Sequence, residues 1–512
     1  MKSVENKDQA GGNSARQAIV IGAGMGGLAA AMRLGAKGYR VTVCDRLDVP
    51  GGRASYIRRE GHRFDLGPTI VTLPDLYRDL WSYCGYDFDQ DVELRSLEPL
   101  YEIRWPDGAQ FTAYQDETKM RAEVARFSPR DVRGYERFLE DSRKRYAFGF
   151  EELGRRPMHR LRDLIAVLHH FVRLRADRSV AAHASRRFRD ARLQMAFSFH
   201  PLFIGGDPFN VTSIYILVSH IERMFGIHYP IGGVAAIANA MTRVIGRQGG
   251  EIKYGAEVDE IIVNNGHARG VRLVDGTILN SDIVVSNADS GHTYKRLLHK
   301  IGDKRWSDER LSRSRWSMGL FIWYFGTRGT RALWPDVGHH TILNGPRYRG
   351  LIKDIFIRGH LADDMSLYIH RPSVTDSTVA PKDGDTFYAL CPVPHLGFEK
   401  PIDWSVEAAA FTDRVKSVLE AQLLPGLSEY LTVSETFTPE TFRDRYLSPY
   451  GSGFSIEPRI FQSAWFRPHN VSEDVAGLYL TGAGTHPGAG LPGVVSSAEV
   501  MSRLVPAAEA LH

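Results

Sequence analysis

Two hydrophobic periods alternate along this chain. Ala18 to Gly22 is a short apolar run that leads into a glycine-rich turn. Leu28 to Leu34 is rich in Ala and Leu and predicts a helix, and Arg40 to Cys44 (RVTVC) predicts a second strand. This strand–turn–helix–strand unit has about the length of the start of a βαβ repeat. Asp131 to Asp190 follows a mostly helical pattern rich in Arg, and Ile214 to Phe225 reads as a further helix ended by Gly226. The period then shortens. Glu251 to Gly276 reads as strands, with Asp275-Gly276 as a hairpin signal. Ser317–Phe325, Met365–Ile369 and Asp385–Val393 are further predicted strands. Leu478–Leu480 is a short strand before a second glycine-rich turn, and Val494–Leu504 predicts the last helix. Neither an internal repeat nor a low-complexity tract is visible.

A chain of 512 residues suits two to four domains or one large interleaved unit. Hydrophobic residues make up 43% and charged residues 24%, which is ordinary for a globular protein. The formal charge of +4, with no dense Lys/Arg run and no reading motif, argues against nucleic acid as a partner. Cys44, Cys84 and Cys391 are far apart, which disfavours a disulfide scaffold and fits a reducing compartment. No His/Cys/Asp/Glu spacing suggests a metal site. Residues 1–16 are polar, lack the apolar stretch of a secretory signal, and read as a disordered tail. No stretch is long and apolar enough to span a bilayer, so any membrane role would be peripheral.

The chemistry begins at Gly22-Ala23-Gly24-Met25-Gly26-Gly27. This G-x-G-x-x-G follows a strand and opens a helix. Gly22, Gly24 and Gly27 allow a tight turn and a close backbone approach to a pyrophosphate, which the helix N-terminus attracts. Asp45 ends the second strand, where an acid accepts hydrogen bonds from ribose hydroxyls and repels a 2′-phosphate. Gly51-Gly52-Arg53 adds backbone N–H groups and a guanidinium for phosphate. Simple nicotinamide dehydrogenases need nothing there, whereas flavin adenine dinucleotide (FAD) enzymes of the amine-oxidase and glutathione-reductase-like classes do. Gly67-Pro68-Thr69 forms a kinked turn suited to lie beside a flavin ring. Near the C-terminus, Gly482, Gly484, Gly488, Gly490 and Gly493 crowd a short span with Pro487 and Pro492. The helix beginning near Val494 would aim its N-terminal dipole at the flavin.

With these pieces in place, the sequence resembles the bacterial-type phytoene desaturases, and most closely those of purple photosynthetic bacteria. The segments VIGAGMGGLAAAMRL, DVPGGRA, FDLGPTIV, FSFHPLFIGGDPF, SNAD, FTPETFRD, QSAWFRPHN and GAGTHPGAGLPGV follow in that family's order. The resemblance implies FAD as cofactor and stepwise desaturation of phytoene to neurosporene or lycopene, through partly desaturated carotenoid intermediates. It also implies a quinone or oxygen as electron acceptor. It places Gly22, Gly24, Gly27, Asp45, Gly51, Gly52, Arg53 and the backbone of Val258 at the ADP half of FAD. Gly482, Gly484, Gly493 and Val494 go to its pyrophosphate and flavin. Related flavoenzymes often carry an Arg two residues after the ribose acid. Leu47 stands there, so that contact is missing or is supplied by Arg46. Asp163 matches an acid/base Asp of the family, but the Arg expected three residues later is Ala166. His200 and Asp207 are the other catalytic candidates.

The expected architecture is an α/β, Rossmann-like flavoprotein of the amine-oxidase/GDI type. Its FAD domain would be discontinuous, built from 17–131, 226–298 and 454–512. A helical substrate and membrane region would take 132–225, and a mixed-sheet substrate domain 299–453. In Gly154 to Arg178, basic residues (Arg155, Arg156, Arg160, Arg162, Arg173, Arg175) alternate at helical spacing with Leu161, Leu164, Ile165, Leu168, Phe171 and Leu174. Such a face could rest on anionic lipid, or pack on a core with its basic side solvated. On the membrane reading, the protein would be cytoplasmic and peripheral to the inner membrane. Two other readings stay open. One is a different carotenoid flavoenzyme: a later desaturase, a ketolase or an isomerase. The other is a non-catalytic, GDI-like prenyl-binding protein.

Overall fold

The computed structural model describes residues 16–510. The tail read at 1–16 falls outside these residues except for Arg16, which pairs with Asp282.

A five-stranded parallel sheet organises the molecule. Its order is Leu478–Leu480, Ile283–Ser286, Gln17–Ile21, Arg40–Cys44 and Glu251–Lys253, so four distant stretches of sequence lie side by side. Ile21 pairs with both Ser286 and Cys44, which brings the strand ends level at one edge. The central strands are apolar because both faces are covered. On one face the helix Met25–Ala36 packs between Ala235–Arg247 and Leu491–Leu504, with small Ala29, Ala30, Ala238 and Ala498 in the shared core. On the other lies an antiparallel meander, Val258–Asn264, His267–Leu273 and Ile278–Asn280, set against Ile19, Ile21, Cys44 and Val284. The meander's second turn is closed by Asp275, whose carboxylate accepts from the Thr277 N–H.

A seven-stranded mixed sheet stands beside it: Leu431–Phe437, Gly319–Thr327, Asp385–Val393, Leu367–His370, His340–Leu343, Tyr101–Arg104 and Gln110–Ala113. Gly319–Thr327 is buried throughout, yet period two is still visible in it. Phe321, Trp323 and Phe325 pack under the helix Trp404–Gln422, while Leu320, Ile322 and Tyr324 face the other core. That helix reaches the sheet through Trp404, Phe411, Val415 and Leu419.

One boundary needs correcting. The sequence pattern puts 17–131 in the FAD domain, but Tyr101–Arg104 and Gln110–Ala113 belong to the second sheet, joined through the parallel pair Thr341–Glu102. Local alternation identifies a strand but not the sheet it joins. The last helix also begins at Leu491 rather than near Val494, with Pro492 in its first turn.

Candidate functional site

The two glycine turns touch. Gly22 leaves the first strand at φ +93° and Gly482 leaves the last at φ +103°, a backbone region open to glycine. A Cβ on Gly26 would lie 3.2 Å from the Gly482 Cα, and one on Gly27 would lie 2.0 Å from the Gly22 carbonyl oxygen. The Gly51 N–H donates to the Ala23 carbonyl at 2.8 Å, and a Cβ on Gly52 would meet the Gly24 Cα at 3.3 Å. The parallel sheet therefore gathers three motifs at one edge. Asn287 joins them: its amide donates to the Gly22 carbonyl, and it sits within 3 Å of the Cβ positions of Gly24, Gly26 and Gly482. Sequence reasoning missed this side chain, although SNAD held it in view.

From this junction a cavity of about 460 Å³ runs between the two sheets, within the size range of ligand sites. Gly24, Gly51, Arg53, Gly67, Pro68, Thr69, Gly493 and Val494 line it, so phosphate-type and ring-type motifs share one space. Arg53 is anchored by one N–H to Ser448 Oγ at 2.7 Å, while its buried Nε lacks a partner. Burial pushes this guanidinium below its ordinary value, opposed by nearby Asp289. At the second turn, a Cβ on Gly484 would fall 2.4 Å from Ser290 Oγ, and one on Gly493 would fall 2.6 Å from the Gly488 carbonyl. The Val494 N–H bonds to the Gly490 carbonyl, and the first-turn amides before it have no intrahelical acceptor. An orphaned buried cation donor, free helix amides and glycines that admit no side chain form a cradle for an anion. Beside it is a slot for a flat ring. These residues fit FAD.

Asp45 is held by backbone N–H groups at both carboxylate oxygens. Its Oδ2 accepts the Ala23 N–H at 2.6 Å and its Oδ1 the Leu47 N–H at 2.7 Å, which ties the second strand to the first turn. Burial raises its pKa against these bonds. The Ala256 N–H donates to the Asp45 carbonyl, and buried Val258 follows on the strand beside it. Arg46 does not supply the contact missing at Leu47. It pairs with Glu257 and donates to the Asp444 and Arg445 carbonyls.

The three catalytic candidates separate. His200 is buried and lines the cavity. Asp163 does not line it: its Oδ2 accepts the Arg160 N–H at 2.8 Å and caps the helix Leu161–Arg173. Its sequence position, three residues into a helix, is also that of a capping acid. Asp207 is buried away from the cavity, where it accepts from the Phe209 N–H and the Asn210 amide and closes its own turn. Two residues that sequence reasoning did not name join His200. Glu222 Oε1 lies 3.2 Å from His200 Nε2, and the Tyr101 hydroxyl is 3.2 Å from both His200 Nε2 and Glu222 Oε2. Glu222 is the one carboxylate lining the cavity among the described residues. Burial alone would raise its pKa, but the His200 and Arg223 interactions outweigh that and hold it below the ordinary value.

Next to Asp207, Glu457 accepts the Asp207 N–H and pairs with Arg459 at 3.0 Å. Burial pushes its carboxyl up to about 7. An acid whose pKa is raised on folding binds more protons in the folded state. Its stabilisation is present below the unfolded value of 4.5 and is lost as pH rises through about 7. The loss should be on the order of 3 kcal/mol. Glu457→Gln is expected to flatten the melting-temperature profile between pH 5 and pH 7, and unchanged profiles would refute this.

The Flavin containing amine oxidoreductase family matches residues 25–505. The neurosporene-forming phytoene desaturase of Cereibacter sphaeroides is 65% identical over 494 residues, covering 96% of this chain and 95% of that one. The lycopene-forming phytoene desaturase of Pseudescherichia vulneris is 43% identical, covering 96% and 99%. Among solved structures, an oxidoreductase from Methanosarcina mazei shares the fold at a TM-score of 0.64 and 18% identity, covering 95% of this chain and 99% of that one.

Proposed function

Since the chain belongs to the flavin-containing amine oxidoreductases and, within them, to the phytoene desaturases, we propose that it desaturates phytoene stepwise to neurosporene in carotenoid biosynthesis. It is an enzyme and takes FAD, which excludes the GDI-like, non-catalytic reading. When bound, FAD would supply the hydride acceptor of each desaturation.

The observation that carries this reading is the lining of the cavity. Beyond the glycine turns it is built from Phe199, Leu202, Phe203, Leu351, Ile355 and Leu390, among others. A long hydrocarbon offers no polar handle, so burial of apolar surface must hold it, at about 25 cal/mol per Å². Each step removes two hydrogens from neighbouring carbons, and one of them leaves as a proton. His200 stands at the cavity to take it. With its Nε2–H donating to Glu222, its Nδ1 lone pair is the accepting site, and Glu222 stabilises the imidazolium that forms. A quinone or oxygen is the proposed final electron acceptor.

The substrate reaches this site, we further propose, from a membrane on which the protein rests at its cytoplasmic side. No helix among the described residues is long and apolar enough to cross a membrane. The helix Leu161–Arg173 nevertheless exposes an apolar stripe: Leu161 (59%), Ile165 (60%), Leu168 (48%) and Val172 (73%). Its inner side carries buried Val167 and also Phe171, which lines the cavity. One helix thus links the outer surface to the substrate space. Arg155 lies outside this face, because Glu499 and Asp79 hold it.

The test uses purified protein, FAD, a quinone and anionic liposomes carrying phytoene, under nitrogen. Chromatography should show neurosporene, and full recovery of phytoene would sink the functional reading. Ile165→Asp with Val172→Asp is expected to abolish cosedimentation with the liposomes while leaving bound FAD unchanged. Undiminished sedimentation would sink the membrane part alone.

A further inference from the structure

The seven-stranded sheet gathers three histidines on the side of Tyr368. His339 and His340 open the strand His340–Leu343, and His370 closes the neighbouring strand directly opposite His340. All three are buried, and their ligand nitrogens lie within 4.8 Å of one another. Two of the rings are anchored through Nδ1. His339 Nδ1 is 2.6 Å from Thr375 Oγ1, and His340 Nδ1 is 2.7 Å from the Tyr368 hydroxyl. A hydrogen bond at one ring nitrogen is how proteins orient a histidine that offers the other to a metal. In these two rings Nε2 is what remains. His339 Nε2 and His370 Nε2 are 3.0 Å apart, and buried His340 Nε2 has no partner at all.

We propose that His339, His340 and His370 form a binding site for one transition-metal ion of the Zn²⁺/Co²⁺ class, held through their three Nε2 atoms. The chemistry fits in three respects. Imidazole suits these borderline ions, and three such ligands leave a fourth position for a small molecule. Two nitrogens of a tetrahedral zinc site lie about 3.3 Å apart, close to the His339–His370 separation.

The Tyr229 ring packs against His339 and His370. The neighbouring cation, Arg371, is already neutralised by Asp385 at 2.9 and 3.1 Å. An ion on His340 Nε2 would fix that ring's proton on Nδ1. His340 would then donate to Tyr368, and Tyr368 to Thr69 Oγ1, 2.5 Å away on the cavity wall. The ion would thereby set the orientation of a hydroxyl in the turn beside the cofactor space. Sequence spacing could not show this site, because strand pairing brings His370 back to His340 across a long loop.

The test uses the full, FAD-loaded protein. It is equilibrated with Zn²⁺, desalted, and measured for metal and flavin together. About one zinc per chain is expected, with near-total loss in both His340→Gln and His370→Gln. Replacement by Co²⁺ in the wild type should give the visible bands of a four-coordinate site. Wild-type protein that keeps its flavin but holds no stoichiometric zinc would overturn the proposal, leaving a His339–His370 hydrogen bond only. So would zinc that persists undiminished in both variants. Should either variant fail to fold, the wild-type zinc content and Co²⁺ spectrum decide.

Discussion

Gly27→Ala is expected to yield protein that purifies colourless and takes up FAD at least 10-fold to 100-fold more weakly than the wild type, about 1–3 kcal/mol. The added methyl would stand 2.0 Å from the Gly22 carbonyl and 3.1 Å from the Asn287 side chain. The first of these is backbone, in a turn already held by Asp45 and Gly51. Relief therefore requires the first turn to open, and that moves the amides that face the cavity. The damage should reach the C-terminal turn as well, because Asn287 touches both. Gly246→Ala is the control. It sits in the helix Ala235–Arg247, where a Cβ meets nothing within 4 Å, so FAD affinity should stay unchanged and the melting temperature should hold or rise slightly. Flavin titration followed by absorbance distinguishes the two variants. Wild-type affinity in Gly27→Ala would mean that the first glycine turn does not hold the cofactor.

Why the cofactor half was readable and the reaction half was not follows from where each kind of constraint lies. A glycine at Gly22, Gly51 or Gly482 is dictated by the backbone within a few residues, through a positive φ or a close approach. Such constraints leave local words in the sequence, and the strands and helices around them follow from short-range periodicity. Arg40–Cys44, Asp385–Val393 and Leu478–Leu480 match their predicted bounds for that reason. The proposed proton-accepting group is different. Tyr101, His200 and Glu222 come from a strand of the second sheet, a short 3-10 turn and the helix Leu217–Phe225. Only packing unites them. Read singly, each is an ordinary buried or helical residue, and Asp163 attracted attention only through family resemblance. The same blindness to sheet assignment misplaced Tyr101–Arg104 in the FAD domain, and it hid the pairing of His340 with His370.

His200→Ala should lower kcat by roughly 10²-fold to 10⁴-fold, the range that a positioned general base contributes. Flavin absorbance should be retained, because the polar contacts of His200 Nε2 go to Tyr101 and Glu222 rather than to the glycine turns. Glu222→Gln is expected to lose less. The imidazolium formed on proton capture would lose its charge partner at 3.2 Å, yet a hydrogen-bond acceptor would remain. Tyr101→Phe, which removes a donor to Glu222, should lose least. The pH dependence separates chemistry from packing. Glu222 is held ionised below the ordinary carboxylate range, because its contacts with His200 and Arg223 outweigh burial. An acid whose pKa is depressed on folding contributes stability that is present above its unfolded value and is lost as pH falls through the folded one. The wild type should therefore keep its melting temperature above the ordinary glutamate value and lose it as pH falls from there through the depressed folded one, while Glu222→Gln should lack that acid limb of stability. Asp163→Asn, by contrast, keeps an acceptor for the Arg160 N–H and loses only the first-turn charge, so it should cost about 0.3–1 kcal/mol of stability and leave kcat untouched. If His200→Ala turns over within about threefold of the wild type while Asp163→Asn is slowed 100-fold, proton capture belongs to the helix end after all, and the cavity histidine is only a packed core residue.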